Sequence, residues 1–98
     1  MSTLTIVADI RAEPGQGDFV RAELEQLVAP TRAEAGCLVY DLHTDNDDPE
    51  HYLFYETWES REHWLAHMES AHIAAFRQAA ESALASLTVS EMTNTRQG

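Results

Sequence analysis

The sequence contains no lysine, and arginine supplies all six of its basic residues against 17 acidic ones. The formal net charge of −11 predicts a surface that repels phosphate backbones and anionic lipid, which argues against nucleic acid and membranes as partners. The absence of lysine also excludes Schiff-base chemistry through a lysine amine. The acidity itself indicates solubility more than any particular reaction.

Cysteine and long apolar runs are equally scarce. Cys37 is the single cysteine, so no internal disulfide is possible and a cytoplasmic location is expected. No apolar stretch approaches the ~18 residues of a membrane span, and the first four residues lack the basic start of a signal peptide. The P-loop, GxGxxG and GxSxG motifs are all missing.

The length and composition are those of one globular domain. The chain has 98 residues, and 44% of them are hydrophobic, which is enough for one core. We expect a single domain over residues 1–98, with its core at about 3–93 and a flexible tail at 94–98.

The spacing of apolar residues predicts alternating strands and helices. Helical spacing predicts a first helix from Phe19 to about Glu34, which Asp18 would cap and Pro30 would kink in its last turn. Ser60 is expected to cap a short helix and Ser70 a longer one. Period-two alternation predicts strands at about 3–11, 37–44, 51–59 and 87–92, with a hairpin turn at 45–50.

The order β-α-β-β-α-β is the split βαβ pattern of the ferredoxin-like α+β fold. This fold has a four-stranded antiparallel sheet with helices on one face. In the third strand Tyr52, Phe54 and Trp58 point to one side, while Leu53 and Tyr55 point to the other. Because helices cover only one side, we expect the other side to pack against a second copy of the chain, giving a homodimer.

Glu56 is the first candidate for chemistry because it lies among aromatic residues in this strand. A carboxylate in such a place must be paired, or its pKa rises. A salt bridge to Arg32 or Arg77 and a role in a functional site are both open at this point.

The histidines form a second set of candidates. His63 and His67 lie one helical turn apart, as zinc ligands often do, but the HExxH pattern is absent. His72 lies beyond the predicted helix break at Ser70. We therefore expect imidazoles that hydrogen-bond or face solvent, and no bound metal.

The aromatic residues have two interpretations. They are expected to fill the core, and the polar tips of several would also suit the lining of a flat apolar pocket. The set consists of Tyr40, Tyr52, Tyr55, Trp58, Trp64 and Phe76.

Four short segments follow one another in a characteristic order. They are Pro14-Gly15, the helix-to-strand joint at 30–40, Asp48-Pro49 with Tyr55-Glu56-Thr57-Trp58, and the H-x-x-S-x-H segment at 67–72 with Phe76 following. Each is weakly specific alone, but together, over about residues 4–92, they resemble antibiotic biosynthesis monooxygenase (ABM) domains, and in particular quinol monooxygenases.

The resemblance implies a dimeric α+β barrel with a pocket between sheet and helices in each subunit. Family members include cofactor-independent monooxygenases of quinols and polycyclic phenols, isomerases of small phosphorylated sugars, and haem-degrading enzymes. The fold is therefore better specified than the reaction.

We expect a monooxygenase that oxidises a small aromatic substrate with molecular oxygen and no cofactor. Removing a phenolic proton activates such a ring, so the protein need supply only a base, a dry pocket and oxyanion stabilisation. The candidate bases are His67, His72 and Glu56. The candidate substrate contacts are Trp58, Phe76 and Tyr55 around the ring, with Tyr40 or Arg32 at an oxyanion.

Other readings of the same fold stay open. A haem-degrading role would use Trp58 with His67 as iron ligand, but Ala8 and Asp9 stand on the first strand where such members place an asparagine. An isomerase of a small metabolite, a non-catalytic binder of aromatic ligands and a stress-related structural module are the remaining alternatives.

Overall fold

The computed structural model describes residues 3–96 and has the predicted β-α-β-β-α-β order. All four strands pair antiparallel in the order β2-β3-β1-β4. The ferredoxin-like prediction is therefore confirmed. The elements are β1 (Leu4–Ala12), α1 (Gly17–Glu25), α2 (Val28–Arg32), β2 (Cys37–Asp45), β3 (Asp48–Trp58), α3 (Arg61–Met68), α4 (Ala71–Ala80) and β4 (Leu84–Met92), with a 3-10 turn at Glu81–Ala83.

The hairpin between β2 and β3 is tighter than the sequence predicted. Its turn is only Asn46-Asp47, because β3 already begins at Asp48. The Asp45 carboxylate accepts a hydrogen bond from the Asp47 backbone at 2.9 Å, and Asp48 does the same for Glu50. These acidic side chains satisfy local N–H groups, so a run that reads as a loop continues as strand.

The predicted first helix is in fact two helices, and its prediction as one piece was wrong. The break falls at Gln26 and Leu27, ahead of Pro30, which lies in the first turn of α2. Proline has no N–H to bond to the carbonyl of Gln26 four residues earlier, and its ring crowds that carbonyl. Asp18 lies inside the first turn of α1 rather than at its cap, where its charge still favours the helix dipole.

The two serine caps are confirmed. The Ser60 hydroxyl accepts a hydrogen bond from the His63 backbone at 3.2 Å, and the Ser70 hydroxyl accepts one from Ile73 at 3.3 Å. Because Ser70 caps a new helix, α3 and α4 are separate helices. Side chains on the two sides of Ser70 therefore need not follow the angular spacing of one continuous helix.

The two faces of the sheet differ in the way the alternation predicted. Tyr52, Phe54 and Trp58 are buried beneath the helices, while Tyr55 is 42% exposed on the opposite face. The opposite face is mixed in character, with apolar members separated by charged and polar ones. No helix among residues 3–96 has the length and apolarity to cross a membrane. The expected tail at 94–98 lies partly outside the described residues.

Candidate active site

An apolar cavity of about 80 Å³ lies between the inner face of the sheet and the helices. All four strands contribute to its wall on the sheet side, and α1, α3 and α4 contribute on the other side. Three of its lining residues are ionisable, apart from Tyr40: Glu56, His67 and Arg77. The apolar and aromatic lining includes Ile6, Ala8, Ile10, Leu24, Leu27, Tyr40, Phe54, Trp64, Met68, Ile73, Phe76, Leu87 and Val89.

Glu56 is placed in this cavity by the centre of the sheet. It lies opposite Ile6 on β1 and Tyr40 on β2, and it is only 4% exposed. Its one described hydrogen bond comes from the indole Nε1 of Trp58, which donates to Oε1 at 3.0 Å. Burial raises the pKa of Glu56 to about 7, against the opposing effect of the Trp58 hydrogen bond, and the negative charge of Glu34 raises it further.

The salt-bridge alternative for Glu56 is not formed. Arg32 instead donates to the Asp41 carboxylate at 3.0 Å and to the Tyr40 carbonyl at 3.1 Å. Arg77 lines the cavity, yet no ion pair joins it to an acid among residues 3–96. The charge of Glu56 is therefore not neutralised by an arginine.

Beside the cavity, two histidines share one carboxylate oxygen. His67 Nδ1 donates to Oε2 of Glu34 at 2.7 Å, and His72 Nε2 donates to the same oxygen at 2.8 Å. His67 ends α3 and His72 begins α4, so the break at Ser70 lets both rings turn toward the same point. A continuous helix would set them about 140° apart, five residues at 3.6 per turn.

The hydrogen bond from Nδ1 to Glu34 fixes the tautomer of the neutral His67 ring. Burial lowers the pKa of His67, and the hydrogen bond and charge of Glu34 oppose that effect only in part. A neutral ring that donates Nδ1–H to a carboxylate carries its lone pair on Nε2. Since the ring lines the cavity, Nε2 is the nitrogen that can accept a proton from a ligand.

Glu34 is the functional residue that the sequence reading did not single out. It lies in the turn between α2 and β2, two residues before Gly36, whose φ is +82°. A Cβ at Gly36 would lie 2.3 Å from Cγ of His63 on α3, so the turn approaches that helix more closely than any other residue allows. The sequence shows only a glycine after a helix at this point, and that glycine does not predict where the Glu34 side chain points.

Aromatic rings enclose His67. The Trp58 and His67 ring centroids are 4.8 Å apart, and Tyr40 meets His67 edge-on at 5.5 Å. Tyr40 also stacks on Phe54 at 4.3 Å. Burial raises the pKa of Tyr40 above its ordinary value, so its hydroxyl stays protonated and available as a donor.

The structure brings most, but not all, of the predicted site residues together. Glu56, His67, Phe76 and Tyr40 line the cavity, and Trp58 and His72 contact His67 or its partner from behind. Two residues lie elsewhere: Tyr55 is on the opposite face of the sheet, and Arg32 is engaged with Asp41 at the surface.

Glu34, His67 and His72 also offer three ligand atoms within 4.8 Å of one another. Two imidazoles and a carboxylate suit zinc or ferrous iron in general. Here the same atoms are joined to each other by hydrogen bonds, which a metal would have to replace. The expectation that no metal is required stays a prediction. Activity or thermal stability that is lost on chelation and restored by zinc would contradict it.

The sequence profile of the antibiotic biosynthesis monooxygenase family matches residues 3–79. The chain belongs to this family, as its motifs indicated. The protein named "Putative monooxygenase Rv0793" of Mycobacterium tuberculosis is 36% identical over 76 residues, covering 78% of this chain and 74% of that protein. The protein named "Probable quinol monooxygenase YgiN" of Escherichia coli K12 is 30% identical over 86 residues, covering 78% of this chain and 83% of that one.

Solved structures show the same fold over nearly the whole chain. PA3566 from Pseudomonas aeruginosa superposes with a TM-score of 0.93 at 35% identity, covering 96% of this chain and 95% of that one. Rv0793 superposes with a TM-score of 0.90 at 27% identity and 98% coverage of both chains. The architecture is therefore that of the family throughout.

Proposed function

We propose that the protein is a monooxygenase that oxidises a small quinol-like aromatic with molecular oxygen and without a bound cofactor. One observation carries this proposal: Glu56 and His67 line the same apolar cavity, in environments that suit opposite proton transfers. Family membership and two relatives named as monooxygenases, one of them for quinols, support it.

The overall reaction takes one quinol and one oxygen molecule to one hydroxyquinone and one water. Loss of a phenolic proton makes the ring electron-rich enough to pass an electron to oxygen, and the resulting radical pair joins as a carbon–oxygen bond. Protonation gives a hydroperoxide, whose O–O bond breaks as the ring loses a hydrogen and water departs. The substrate supplies all four electrons, so no external reductant is needed.

His67 and Glu56 each carry out one of the two proton transfers in this reaction. His67 accepts the phenolic proton at Nε2, and Glu34 stabilises the imidazolium that forms, because its Oε2 already accepts Nδ1–H at 2.7 Å. Glu56, with a pKa near neutrality, is partly protonated and gives a proton to the peroxide. His72 holds Glu34 in place, and Trp58 holds Glu56, so both are positioning residues.

The size of the cavity sets the size of the substrate. At about 80 Å³ it is smaller than the ~150 Å³ apolar cavity that holds benzene, so even a one-ring quinol requires some widening. This size limits the ligand to a small ring and argues against the haem-degrading alternative. Tyr40 lines the cavity, and burial raises the pKa of its hydroxyl, so this side chain is the candidate to donate to an oxyanion on the ring.

The test is oxygen uptake with one-ring and two-ring 1,4-quinols, corrected for spontaneous oxidation. We expect His67→Ala to lower turnover by roughly 10²–10⁴-fold, and His72→Ala to lower it less. The rate should fall at low pH as His67 becomes protonated and fall above about pH 7 as Glu56 ionises. Gln78→Ala, an exposed change on α4, serves as the control and should retain the parent rate.

Three results would contradict the proposal. If both histidine variants oxidise quinols at the parent rate while their melting temperatures match the parent, His67 is not the base. If quinols bind without oxygen uptake, the protein is a binding module, and if a metabolite is rearranged without oxygen, it is an isomerase. If His67→Ala does not fold, His67→Gln keeps most of the buried volume and answers the same question.

A further inference from the structure

Arginine is scarce in this chain, and most of its guanidinium groups form ion pairs with carboxylates. Four of the six form ion pairs: Arg11 with Asp48 at 3.6 Å, Arg21 with Glu25 at 3.4 Å, Arg32 with Asp41 at 3.0 Å and Arg61 with Glu91 at 2.8 Å. Arg96 lies beside the undescribed end of the chain. Neither Arg77 nor Arg96 forms an ion pair with an acid among residues 3–96, and of the two only Arg77 lines the cavity.

Arg77 lies at the cavity, and there it is the one permanent cation. It follows Phe76 on α4 and lines the cavity together with Leu87 and Val89 of β4, which are 45% and 37% exposed. Glu56 and His67, by contrast, are 4% and 2% exposed. The cavity therefore has a buried end with the proton-transfer groups and an open end with an uncompensated guanidinium.

This arrangement favours ligands by their charge as well as by their shape. A protein with a net charge of −11 repels anions in general, so a guanidinium without a carboxylate partner creates a local exception. Guanidinium binds planar carboxylates with two parallel hydrogen bonds, while the apolar wall accepts the ring. A neutral quinol would use the wall and leave Arg77 without a partner.

We propose that Arg77 determines specificity by binding a carboxylate on the substrate, so that the preferred ligand is an aromatic acid whose hydroxyl-bearing ring enters the cavity. This inference rests on the proposed function for the identity of the ring, and it adds the substrate's charge. The carboxylate stays at the open end, and the phenolic hydroxyl reaches the buried end.

Equilibrium binding of a matched pair of ligands tests this without any turnover. The probes are 2,5-dihydroxybenzoate and its neutral methyl ester, measured anaerobically by calorimetry at low salt. We expect the protein to bind the acid roughly 10-fold more tightly than the ester, because a charge-assisted hydrogen bond is lost in the ester. Added salt should weaken binding of the acid alone.

Variants locate the effect. Arg77→Gln should bind acid and ester equally, Arg77→Lys should keep part of the preference, and Arg21→Gln, which removes a surface arginine paired to Glu25, should keep all of it. Equal affinities in the parent protein, no binding of either probe, or an equal loss of both in Arg77→Gln would overturn the proposal. The binding experiment contains no oxygen and is therefore independent of turnover. If the protein prefers the acid to the ester but does not oxidise the acid when oxygen is admitted, only the proposed reaction is contradicted.

Discussion

At the scale of single residues, the site contains two acids in different surroundings, a buried Glu56 and a partly buried Glu34. Glu34 receives two imidazole N–H donors on one oxygen, whereas Glu56 receives one indole N–H in an apolar wall. Glu56, with one donor in apolar surroundings, has its pKa raised to about 7, whereas Glu34 joins two histidines through a single oxygen. In the proposed reaction Glu56 is the proton donor, and Glu34 holds His67 in place.

The free energy of unfolding should record the burial of Glu56. Its pKa rises on folding from 4.5 to about 7, so the folded state binds the extra proton and stability falls as pH rises between these values. Glu56→Gln removes this dependence. Between about pH 4.5 and pH 8, the stability of the variant relative to the parent should therefore increase by up to about 3 kcal/mol.

Denaturant unfolding of both proteins across this range measures the difference, in which the other titrating groups cancel. Asp47→Asn in the hairpin turn is a control that should follow the parent at every pH. A constant offset between Glu56→Gln and the parent would mean that the carboxyl keeps its ordinary pKa.

The sequence predicted part of this chemistry and missed a defined remainder. Strand periodicity was sufficient to place Glu56 with Trp58 on a buried face, and the Ser70 signal was sufficient to separate His67 from His72. The role of Glu34 was not predictable, because its side chain direction follows from a turn geometry fixed by distant contact with α3. Arg32 and Tyr55 were assigned to the site from type and proximity alone, and the sheet places them outside it.

At the scale of elements, the joint between α2 and β2 governs the site. Gly36 lies against His63 of α3, and the Glu59 backbone donates to the Gly36 carbonyl at 2.8 Å. The joint is therefore held between the end of β3 and the first turn of α3. The periodic parts of the chain were predictable within a few residues, but this contact between non-periodic segments was not, since local pattern carries no information about it.

Two glycines allow this joint to be tested with a matched control. Gly15 and Gly36 both have φ of +82°, but a Cβ at Gly15 meets nothing within 4 Å, whereas one at Gly36 meets the His63 ring. Gly15→Ala should therefore cost only the backbone strain, about 1 kcal/mol. Gly36→Ala should cost clearly more and should lower turnover, because Glu34 moves with the joint.

Thermal unfolding and oxygen uptake measure the two effects. In the double variant His63→Ala with Gly36→Ala, the clash with the imidazole ring is removed. The double variant should therefore regain the stability lost to that clash and keep only the cost of the backbone strain at position 36. Equal destabilisation by the two alanines would show that the joint yields without disturbing α3.

At the scale of the whole molecule, the outer face of the sheet is the surface through which we expect two chains to assemble. Its apolar residues include Tyr55, which is 42% exposed in the single chain. His51 bridges two acids on the same face, with Nδ1 2.8 Å from Asp45 and Nε2 3.0 Å from Asp9, and these hydrogen bonds raise the pKa of His51. The face therefore combines exposed apolar side chains with a charged network in which both His51 nitrogens already have hydrogen-bond partners.

We predict a homodimer through this face, with a mass twice the 11.0 kDa of one chain. Sheet-to-sheet interfaces of this kind commonly bury more than ~2,000 Å². Because each chain carries a charge of −11, repulsion opposes association, and moderate salt should strengthen the dimer. Light scattering over a dilution series measures the mass, and Tyr55→Asp should shift it toward the monomer.

A stable monomer at micromolar concentration in the parent protein would refute the dimer. Gln78→Ala on the helix layer should leave the mass unchanged and controls for indirect effects of substitution.

The placement of β4 has a consequence for how ligands reach the buried end of the cavity. Leu87 and Val89 form part of the wall, yet β4 is an edge strand, joined by backbone hydrogen bonds to β1 alone. An edge strand separates from its sheet at far lower free energy than a central one, because half of its backbone has no partner to lose. Separation of β4 from β1 is therefore the motion that we expect to widen the cavity for larger rings, while Glu56 on β3 and His67 on α3 keep their positions.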